Sequence, residues 1–410
     1  MLRLLIPISF LLLLDLYFFQ IIRTVVMDLD QRWRTIWYIV YWGVTALTMV
    51  VVVAGDYMGN LPNYFRYYFF SFLLVAIVPK VVGILFLVGE DLYRFLGGVF
   101  SLTKEMEEPF LSDRRKFVSQ VGLITAAIPF AAMLYGMART AFNFQVKERK
   151  LHFEDLPTNF DGLRIVQFSD LHSGSFTSTD FFAKAVSRIL DLKPDLIFFT
   201  GDLVNNQSAE AEPFLAEFKR LKARLGVFSI LGNHDYGDYG PWPSKEAKAA
   251  NLSRLKEIHR ESGWNVLLNS NQIIEQEGEQ IAIVGVENWG ASRHFPKYGN
   301  LDKAVAGSEK VPFKILLSHD PSHWDAQVKD HSQKFQLTLS GHTHGFQFGI
   351  DIPGFKWSPV QYVYKQWSGL YEELGQKLYV NQGLGFIGYM GRVGISPEIT
   401  LLELRSTKNV

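Results

Sequence analysis

Four long apolar stretches near the start of the sequence constrain the fold of this chain more than any other feature. They cover residues 2–22, 36–54, 69–88 and 117–138. A helix needs about 20 mostly apolar residues to cross the hydrocarbon core of a bilayer, and each stretch is long enough. Tyrosine and tryptophan residues cluster near the ends of the stretches, as is typical of membrane interfaces. The sequence therefore predicts an all-α transmembrane domain of four helices over residues 1–145, with the lipid bilayer as its partner.

Two ionisable residues lie inside the predicted spans, Asp15 in the first and Lys80 in the third. An isolated charge at the centre of a span costs about 3 kcal/mol on insertion scales. The first and third helices would run in the same direction and place the two residues at similar depth. We therefore hypothesise an ion pair between them, beside a bend at Pro79. Snorkelling or a water pocket would explain the two charges equally well.

The distribution of cations indicates how the spans are oriented. The loops after the first and third spans carry eight Lys and Arg residues, whereas the opposite side carries six. Arg114 and Arg115 stand just before the fourth span, in a pattern that is similar to a twin-arginine export signal and also typical of stop-transfer charges. Because cytoplasmic loops are enriched in cations, both observations predict that the C-terminal part lies outside the cytoplasm.

The C-terminal part has a different composition. Residues 1–150 hold 15 Lys and Arg against 11 Asp and Glu, whereas residues 151–410 hold 26 against 30. This acidic balance argues against nucleic acid as a partner. All ten histidines lie between His152 and His344, and the chain has no cysteine. Disulfides, thiolate ligands and cysteine nucleophiles are therefore excluded, and chemistry that needs imidazole belongs to the second part.

Short apolar runs alternate with amphipathic segments in the second part. After a polar connector at residues 146–160, the predicted catalytic domain covers residues 161–410. The predicted strands are 163–168, 195–199, 227–231, 281–286, 313–317, 336–339, 377–380 and 399–404, and the predicted helices are 179–192 and 245–261. This alternation predicts an α/β domain, and ligand sites in such domains lie beyond the carboxyl ends of strands.

Polar residues recur where these predicted strands end. In chain order the motifs are Asp170-Leu171-His172, Gly201-Asp202, Gly232-Asn233-His234-Asp235, a lone His319 and Gly341-His342-Thr343-His344. Carboxylates, amide oxygens and imidazoles are ligands for hard or borderline divalent metals. Asp170 and His172 can share one ion, because side chains two apart in an extended segment point the same way. Asp202 alone would be typical of a turn or a helix cap, but five such strand ends together predict a metal site.

In this order the motifs resemble those of the calcineurin-like metallophosphoesterase superfamily, in particular its bacterial membrane-associated or exported branch. The superfamily pattern is D-x-H, G-D, G-N-H-D/E, a lone H and G-H-x-H, and every position is filled within about residues 150–405. The resemblance implies a sandwich of two mixed sheets flanked by helices, with the metals at their carboxyl edge. Together with the spans, it implies a multi-pass protein of the bacterial inner membrane whose catalytic domain is extracytoplasmic.

The same resemblance assigns roles to the motif residues. It implies two divalent metal ions, Mn, Fe or Zn, with two separate ligand sets and one bridging ligand: Asp170, His172 and His344; Asn233, His319 and His342; and Asp202 as the bridge. It further implies that His234 contacts the scissile phosphate or protonates the leaving oxygen, and that Asp235 orients His234.

Charge gives a physical reason for this ligand set. Two divalent cations about 3.5–4 Å apart can share a bridging water, lower its pKa and bind a phosphate from both sides. Asp170 and Asp202 are the two carboxylates of the implied set, so a bridging hydroxide leaves net positive charge to attract a phosphate anion. The neutral amide of Asn233 preserves that charge.

Three positions bear on the substrate. Phe346 stands where relatives often have a second glycine after G-H-T-H-G, and it would narrow the mouth of the site. Gln382 stands where an arginine commonly precedes a Gly-hydrophobic-Gly turn. Arg392 is a candidate replacement for that phosphate contact, although a solvated loop cation would explain it equally well. The candidate substrate contacts are Asn233, Arg392 and Phe346.

Two further groups of residues have simpler interpretations. The loops around the late motifs are rich in aromatic residues, which ordinary packing explains, with an apolar cleft for acyl chains as the alternative. The histidines outside the motifs are expected to be surface or hydrogen-bonded core residues: His152, His259, His294, His323 and His331.

The sequence thus predicts a membrane-anchored, dinuclear-metal phosphohydrolase that uses a metal-bridged hydroxide to cleave a phosphoester or pyrophosphate bond. A lipid or envelope phosphodiester is the favoured substrate. One alternative is a phosphomonoesterase or nucleotidase. Another is a non-catalytic receptor for a metal or phospho-ligand, and the presence of both His234 and Asp235 argues against it.

Overall fold

A computed structural model describes residues 2–55, 63–100, 108–293 and 295–407 of the chain. The chain divides into two compact units, Met1–Met137 and Ala138–Val410.

The first unit is helical. Its helices are α1 (Leu2–Val25), α2 (Gln31–Gly55), α3 (Asn63–Phe100) and α4 (Glu108–Ala138). Among the described residues, four segments are long and apolar enough to cross a membrane: Leu5–Val25, Gln31–Gly55, Phe65–Leu96 and Asp113–Phe142. The prediction of four apolar helices in this unit is confirmed. The helices continue beyond them, because helical hydrogen bonding persists into the polar ends that the hydropathy criterion leaves out.

A buried polar cluster joins three of these helices. Lys80 on α3 donates a hydrogen bond from Nζ to Oδ1 of Asp15 on α1. On α2, the Tyr41 hydroxyl lies 3.0 Å from the same carboxylate oxygen, and Thr45 Oγ1 lies 2.9 Å from it. Asp15 and Lys80 are both buried, so pairing rather than snorkelling satisfies the two charges. The hypothesised ion pair is confirmed.

A second ionic cluster ties α4 to α3. Glu90 is buried, and its two carboxylate oxygens lie 3.0 Å from Arg114 Nη2 and 3.1 Å from Arg115 Nη1. Arg115 also lies 2.6 Å from Asp91 Oδ1. The two arginines therefore lie within a helix and bind acidic residues of its neighbour. Their use as an export signal stays a prediction.

The second unit contains two six-stranded mixed sheets and a separate hairpin. Its strands are β1 (Gln145–Phe153), β2 (Arg164–Phe168), β3 (Leu196–Phe199), β4 (Val227–Ser229), β5 (Asn265–Val266), β6 (Ser270–Gln276), β7 (Glu279–Gly285), β8 (Phe313–Leu317), β9 (Leu337–Ser340), β10 (Ile350–Ile352), β11 (Phe355–Trp357), β12 (Gly369–Glu373), β13 (Gln376–Val380) and β14 (Glu398–Ser406). The first sheet has the order β1-β14-β2-β3-β4-β5, the second has the order β12-β13-β9-β8-β7-β6, and β10 pairs with β11. The helices are α5 (Asp180–Asp191), α6 (Leu215–Phe218), α7 (Lys245–Glu261) and α8 (Leu301–Val305).

Both faces of the central strands are buried in the core, which explains why these strands could be recognised in the sequence. Alternate residues of a strand point to opposite faces of its sheet. Phe198 packs in a cluster that also contains Ile283 of the second sheet, whereas its neighbour Phe199 packs with residues of α5 and α7. A third cluster covers the other face of the second sheet and includes residues of α8. Because both faces are covered, these strands are continuous apolar runs, and the predicted sandwich of two mixed sheets flanked by helices is confirmed.

The prediction of a connector at residues 146–160 is wrong. Residues 145–153 form β1, which pairs in parallel with β14 from Gln145↔Glu398 to Phe153↔Ser406. This strand lies at the edge of its sheet and is largely exposed, so it carries polar residues that resemble a linker. The catalytic unit therefore begins before residue 161.

Parallel pairing brings the motifs to one edge of each sheet. In the first sheet β2, β3 and β4 run parallel to one another, and in the second sheet β7, β8, β9 and β13 do so. The carboxyl ends of parallel strands meet at the same edge. The motifs follow β2, β3, β4, β8 and β9, as the sequence predicted.

Candidate metal centre

The predicted metal ligands lie together in the structure. Two groups have ligand atoms that lie within 4.8 Å of one another: Asp170, His172 and His344; and Asp202, His319 and His342. Asn233 joins the second group, since its Oδ1 lies 2.8 Å from His342 Nδ1 and 3.1 Å from His319 Nε2. Apart from Asp202, which the resemblance implied as a bridge, the two groups contain the residues of the two implied ligand sets, and their use as metal ligands stays a prediction.

The spacing of the ligand atoms fits a divalent metal. The Nε2 atoms of His172 and His344 are 3.1 Å apart, and His344 Nε2 lies 3.3 Å from Asp170 Oδ1. Metal ions hold nitrogen and oxygen ligands at roughly 2.0–2.2 Å, so adjacent ligand atoms in tetrahedral or octahedral sites lie about 3.0–3.4 Å apart. Ring nitrogens and a carboxylate oxygen at this spacing can share one ion.

Asp202 lies between the two groups. Its Oδ2 is 3.1 Å from His319 Nε2 in one group and 3.6 Å from His172 Nε2 in the other. Its Oδ1 accepts the backbone N–H of His234 at 2.9 Å, which fixes the carboxylate in this orientation. One oxygen atom is thus within reach of both ligand sets, as a bridging ligand must be.

The backbone at the ligands is strained. Asp170, His172, Asp202, His342 and His344 have φ values of 52°, 49°, 59°, 72° and 51°. Non-glycine residues rarely occupy this left-handed region, and each costs about 1–3 kcal/mol. Such strain persists where the surrounding structure enforces it, and it concentrates at functional sites.

Two motif glycines allow the loops to approach the aspartates. A Cβ atom on Gly232 would lie 2.2 Å from Asp202 Oδ1, and one on Gly341 would lie 2.2 Å from Asp170 Oδ2. No side chain fits at those distances. The glycines of the G-N-H-D and G-H-T-H motifs are therefore required by close packing around the ligands.

The electrostatics of the candidate ligands favour a positive charge at this centre. Burial lowers the pKa of His172 well below its ordinary value and also lowers that of His342, which keeps the nitrogen lone pairs free. Burial alone would raise the pKa of Asp202, but His319 and His234 hold it well below its usual range. Burial opposes protonation of His319, yet Asp202 and Asp170 raise the pKa of that imidazole to about 10. The two carboxylates therefore attract positive charge to this point.

His234 lies beside the ligands with one nitrogen already bound. Its Nδ1 is 2.9 Å from the backbone carbonyl oxygen of Asn205, and its ring lies 5.0 Å from that of His172. The side chain also lines the pocket described below. Nε2 is thus the nitrogen available to a substrate.

Asp235 does not act on His234 as the resemblance implied. Its Oδ2 accepts the backbone N–H groups of Asp202 and Gly232, both at 2.9 Å. Its Oδ1 accepts those of Leu203 at 2.8 Å and Val204 at 3.2 Å. The carboxylate therefore joins the loop of the G-D motif to the loop of the G-N-H-D motif. Its expected role in orienting the imidazole is corrected to one in positioning both loops, and Asn205 holds the imidazole instead.

Two tyrosines contact metal ligands and were not predicted as site residues. The Tyr239 hydroxyl accepts a hydrogen bond from Asn233 Nδ2 at 3.0 Å, which turns the amide oxygen towards the histidines. The Tyr364 hydroxyl lies 2.8 Å from His342 Nε2, which leaves Nδ1 of that ring for a metal. These tyrosines come from loops without a distinguishing motif, so only their residue type could have indicated them.

A pocket of about 490 Å³ opens at this centre. Seven of its lining residues are polar site residues: His172, Asp202, Asn233, His234, His342, Thr343 and His344. The other lining residues are mostly apolar and aromatic: Phe295, Phe346, Pro359, Val360, Val363, Tyr364 and Ile387. Phe346 is exposed and lines this pocket, so its predicted position is consistent with the structure.

Arg392 does not line the pocket. Its side chain is fully buried, and Nε and Nη2 donate hydrogen bonds to the carbonyl oxygens of Gly385 and Gly383, both at 3.0 Å. Gln382 is also buried and donates to Ser368 Oγ at 2.7 Å. A direct phosphate contact by Arg392 is therefore no longer expected, because burial encloses its guanidinium behind the ligand loops.

The remaining histidines have ordinary surroundings. His259 is buried beside Ser229, His323 is buried beside Ser318 and Gln327, and His331 pairs with Asp302. His152 is exposed on β1. His294 lies outside the described residues.

Comparison with known proteins agrees with the geometry. The family model described as "Probable Calcineurin-like phosphoesterase, transmembrane domain" matches residues 2–141, and the model described as "Calcineurin-like phosphoesterase" matches residues 163–346. A Bacillus subtilis protein described as "Uncharacterized metallophosphoesterase YkuE" is 32% identical over 303 residues, which cover 72% of this chain and 98% of that protein. The chain belongs to the calcineurin-like phosphoesterase family.

Two other relatives are informative, one because it matches most of this chain and one because its name states a substrate. A Danio rerio "Transmembrane protein with metallophosphoesterase domain" is 27% identical, over 89% of this chain and 80% of its own length. The Chlamydia trachomatis "UDP-2,3-diacylglucosamine pyrophosphatase LpxG" is 30% identical, over 61% of this chain and 86% of its own length.

Family membership fixes the class of protein. The chain is a metallophosphoesterase, which is a hydrolase of ester bonds. Its four candidate spans and the matching transmembrane family model make it a membrane protein. The family uses divalent metals, and the converging aspartates and histidines are candidate ligands for them.

Proposed function

We propose that this chain is a membrane-anchored phosphohydrolase with two metal ions, which cleaves a phosphodiester or pyrophosphate bond in a lipid-like substrate. The observation that carries the proposal is that candidate metal-ligating side chains and apolar side chains line the same pocket. A phosphate group and an acyl chain of one molecule would each find a suitable surface there.

The ligand sets described above give each ion its own site. Asp170, His172 and His344 would hold one ion, Asn233, His319 and His342 the other, and Asp202 would contact both. When bound, two divalent ions supply charge to neutralise a phosphate and lower the pKa of an attacking water. The ligand chemistry is compatible with Mn, Fe or Zn.

His234 is the chain's own proton donor in this proposal. Its Nδ1 proton is held by the carbonyl oxygen of Asn205 at 2.9 Å. A protonated imidazole can then give its Nε2 proton to the leaving oxygen and remain in the tautomer that Asn205 stabilises. The aromatic contact with Tyr239, at 4.7 Å between ring centroids, further fixes the ring.

The apolar residues that line the pocket support a substrate with hydrocarbon chains. Phe346, Val360 and Val363 have no polar group to offer a nucleoside or a sugar. The Chlamydia trachomatis relative is named for a diacylated substrate with a pyrophosphate bond, which combines the same two chemistries. A phosphomonoester or nucleotide would use the candidate metal ligands and leave the apolar lining residues without a function.

We also propose the bacterial inner membrane as the location, with the catalytic unit on its extracytoplasmic side. The basis is the charge distribution around the spans. The absence of native cysteine allows a direct test with a membrane-impermeant maleimide on intact cells. Lys310→Cys in the catalytic unit should be labelled, and Asp30→Cys between α1 and α2 should not. The reverse pattern would contradict this orientation.

Hydrolysis by the full chain in nanodiscs, supplied with Mn²⁺, tests the activity. A diacylated pyrophosphate lipid, a glycerophosphodiester lipid and a nucleotide monophosphate form the panel. Turnover of a lipid substrate should be lost in Asp202→Ala, reduced roughly 10²–10⁴-fold in His234→Gln and unchanged in His331→Gln, a histidine that pairs with Asp302 outside the site. Equal turnover in all four proteins would contradict the proposal, and exclusive turnover of the nucleotide would favour the alternative.

A further inference from the structure

The hairpin of β10 and β11 has its apolar side chains on the solvent side, whereas surface strands usually turn them towards the core. Within the described residues it pairs only with itself, in the register Ile350↔Trp357, Asp351↔Lys356 and Ile352↔Phe355. Residues directly opposite each other share a face, so one face is apolar and the other is charged. Only one of these two surfaces of the hairpin can pack against the rest of the unit.

The charged face is turned inward. Asp351 Oδ2 lies 2.6 Å from Lys147 Nζ on β1 and 3.0 Å from Gln382 Nε2. Lys147 also lies 3.2 Å from Glu398 Oε2 on β14. Asp351 and Lys147 are both largely shielded from solvent. An ionic network therefore fixes the hairpin to the edge of the first sheet.

The apolar face is turned to solvent. Ile350, Ile352 and Phe355 are 41%, 56% and 52% exposed. Antiparallel strands with one solvated face ordinarily place the apolar residues inside, so this arrangement costs free energy in water. The inward network keeps these three side chains exposed, and a function at this surface would explain that.

The exposed surface continues to the mouth of the pocket. Phe346 and Val363, which also line the pocket, are 62% and 79% exposed, and Tyr362 beside them is exposed as well. We call these six residues the hairpin surface: Phe346, Ile350, Ile352, Phe355, Tyr362 and Val363. It joins the apolar wall of the pocket to the outside of the unit.

The chemistry of the hairpin surface fits the interface of a bilayer. Aromatic and branched aliphatic side chains lie together with the exposed Lys365 of the same segment. The sole acidic residue of the segment 345–371 is Asp351, which is turned inward, so no exposed carboxylate would repel an anionic headgroup. The preceding spans already hold the chain at a membrane, which makes a lipid surface constantly available.

We propose that the hairpin surface inserts into the boundary between headgroups and acyl chains of a bilayer, so that the pocket opens at lipid level. A substrate could then enter the pocket without leaving the membrane. This docking is independent of catalysis, whereas the entry of substrate rests on the proposed function.

Depth-dependent fluorescence quenching tests the docking. Because the chain has no native cysteine, Ile352→Cys and Phe355→Cys each carry a single environment-sensitive label. The full chain is placed in nanodiscs of zwitterionic and anionic phospholipid, with and without doxyl-labelled lipid. Leu374→Cys is the matched control, an exposed apolar position in the turn between β12 and β13, at the opposite end of β13 from the pocket.

We expect a several-fold greater loss of fluorescence at positions 352 and 355 than at position 374. Equal, weak quenching at all three positions would overturn the proposal. A blue-shifted label at position 352 that doxyl lipid does not quench would also overturn it, since that result means the surface is covered by protein, either a partner or a second copy of this chain.

A functional comparison separates docking from the proposed activity. The double variant Ile352→Glu with Phe355→Glu changes two residues outside the pocket lining. We expect the apparent KM for a bilayer-embedded substrate to rise about tenfold or more, with kcat for a soluble phosphodiester unchanged. An unchanged KM for the embedded substrate would overturn the proposed entry route. If the wild type hydrolysed neither substrate, the proposed function would fail, and the quenching result would still decide the docking.

Discussion

Replacement of Asp235 by asparagine distinguishes two roles for this residue. In the structure its two oxygens accept four backbone N–H groups, which belong to the G-D loop and the G-N-H-D loop. An amide of the same shape keeps one oxygen and presents an NH₂ group to the other two donors. Two buried N–H groups then lose their partners at about 1–3 kcal/mol each, so the variant should be roughly 4 kcal/mol less stable.

The assay is thermal unfolding of the full chain in nanodiscs, together with metal affinity from competition with a chelator. For a unit of this size, about 4 kcal/mol corresponds to a fall in Tm of roughly 10 °C. Because both loops carry metal ligands, affinity should fall about 10–100-fold. His234→Gln, which leaves all four hydrogen bonds in place, is the matched control and should retain the wild-type Tm and affinity.

A different result would refute this reasoning. If Asp235→Asn kept its Tm and its metals but lost turnover with the pH profile of His234→Gln, the carboxylate would act through the imidazole. The role implied by the family resemblance would then be correct, and the hydrogen bonds to the loops would be energetically unimportant.

Three other perturbations test separate parts of the molecule. Lys80→Met should destabilise the helical unit by about 3–5 kcal/mol, because it leaves the Asp15 carboxylate buried without a cation, and adding Asp15→Asn should restore most of the Tm in nanodiscs. Tyr364→Phe removes the partner of His342 Nε2 and should weaken metal binding about 10–100-fold in chelator competition with little change in Tm. Burial lowers the pKa of His259 to about 3, whereas the same imidazole in the unfolded chain takes up a proton below about pH 6.5. The folded protein should therefore lose about 2 kcal/mol of stability through this residue when the pH falls to 5. His259→Gln should flatten this part of the Tm profile, measured between pH 8 and pH 5.

The sequence identified the elements that are buried on both faces. β3 and β8 could be predicted because apolar side chains cover them on each side, which leaves an uninterrupted apolar run. The cluster of candidate metal ligands could be recognised because each residue follows such a run and because their residue types have few other uses in combination.

The elements that were missed have one exposed face or distant partners. β1 is polar, and its partner β14 lies at the other end of the chain, so nothing local marks it as a strand. The β10–β11 hairpin places its apolar residues outside, which reverses the alternation that sequence reasoning relies on.

Roles that depend on the backbone were also beyond the sequence. Asp235 binds backbone N–H groups and Arg392 binds backbone carbonyls, and neither kind of partner has a signature in the residue types. From motif position and charge, Asp235 was expected to contact the imidazole of His234, and Arg392 was expected to contact a phosphate. The two corrections therefore have the same physical cause.

The central claim is that two cations share the Asp202 carboxylate. Electron paramagnetic resonance of the full chain titrated with Mn²⁺ tests it most directly, because exchange between two bridged ions changes the spectrum from that of isolated Mn²⁺. We predict two bound ions per chain with the spectrum of a coupled pair, and loss of the coupling in Asp202→Ala. A single bound ion, or two ions with uncoupled spectra in the wild type, would contradict the account.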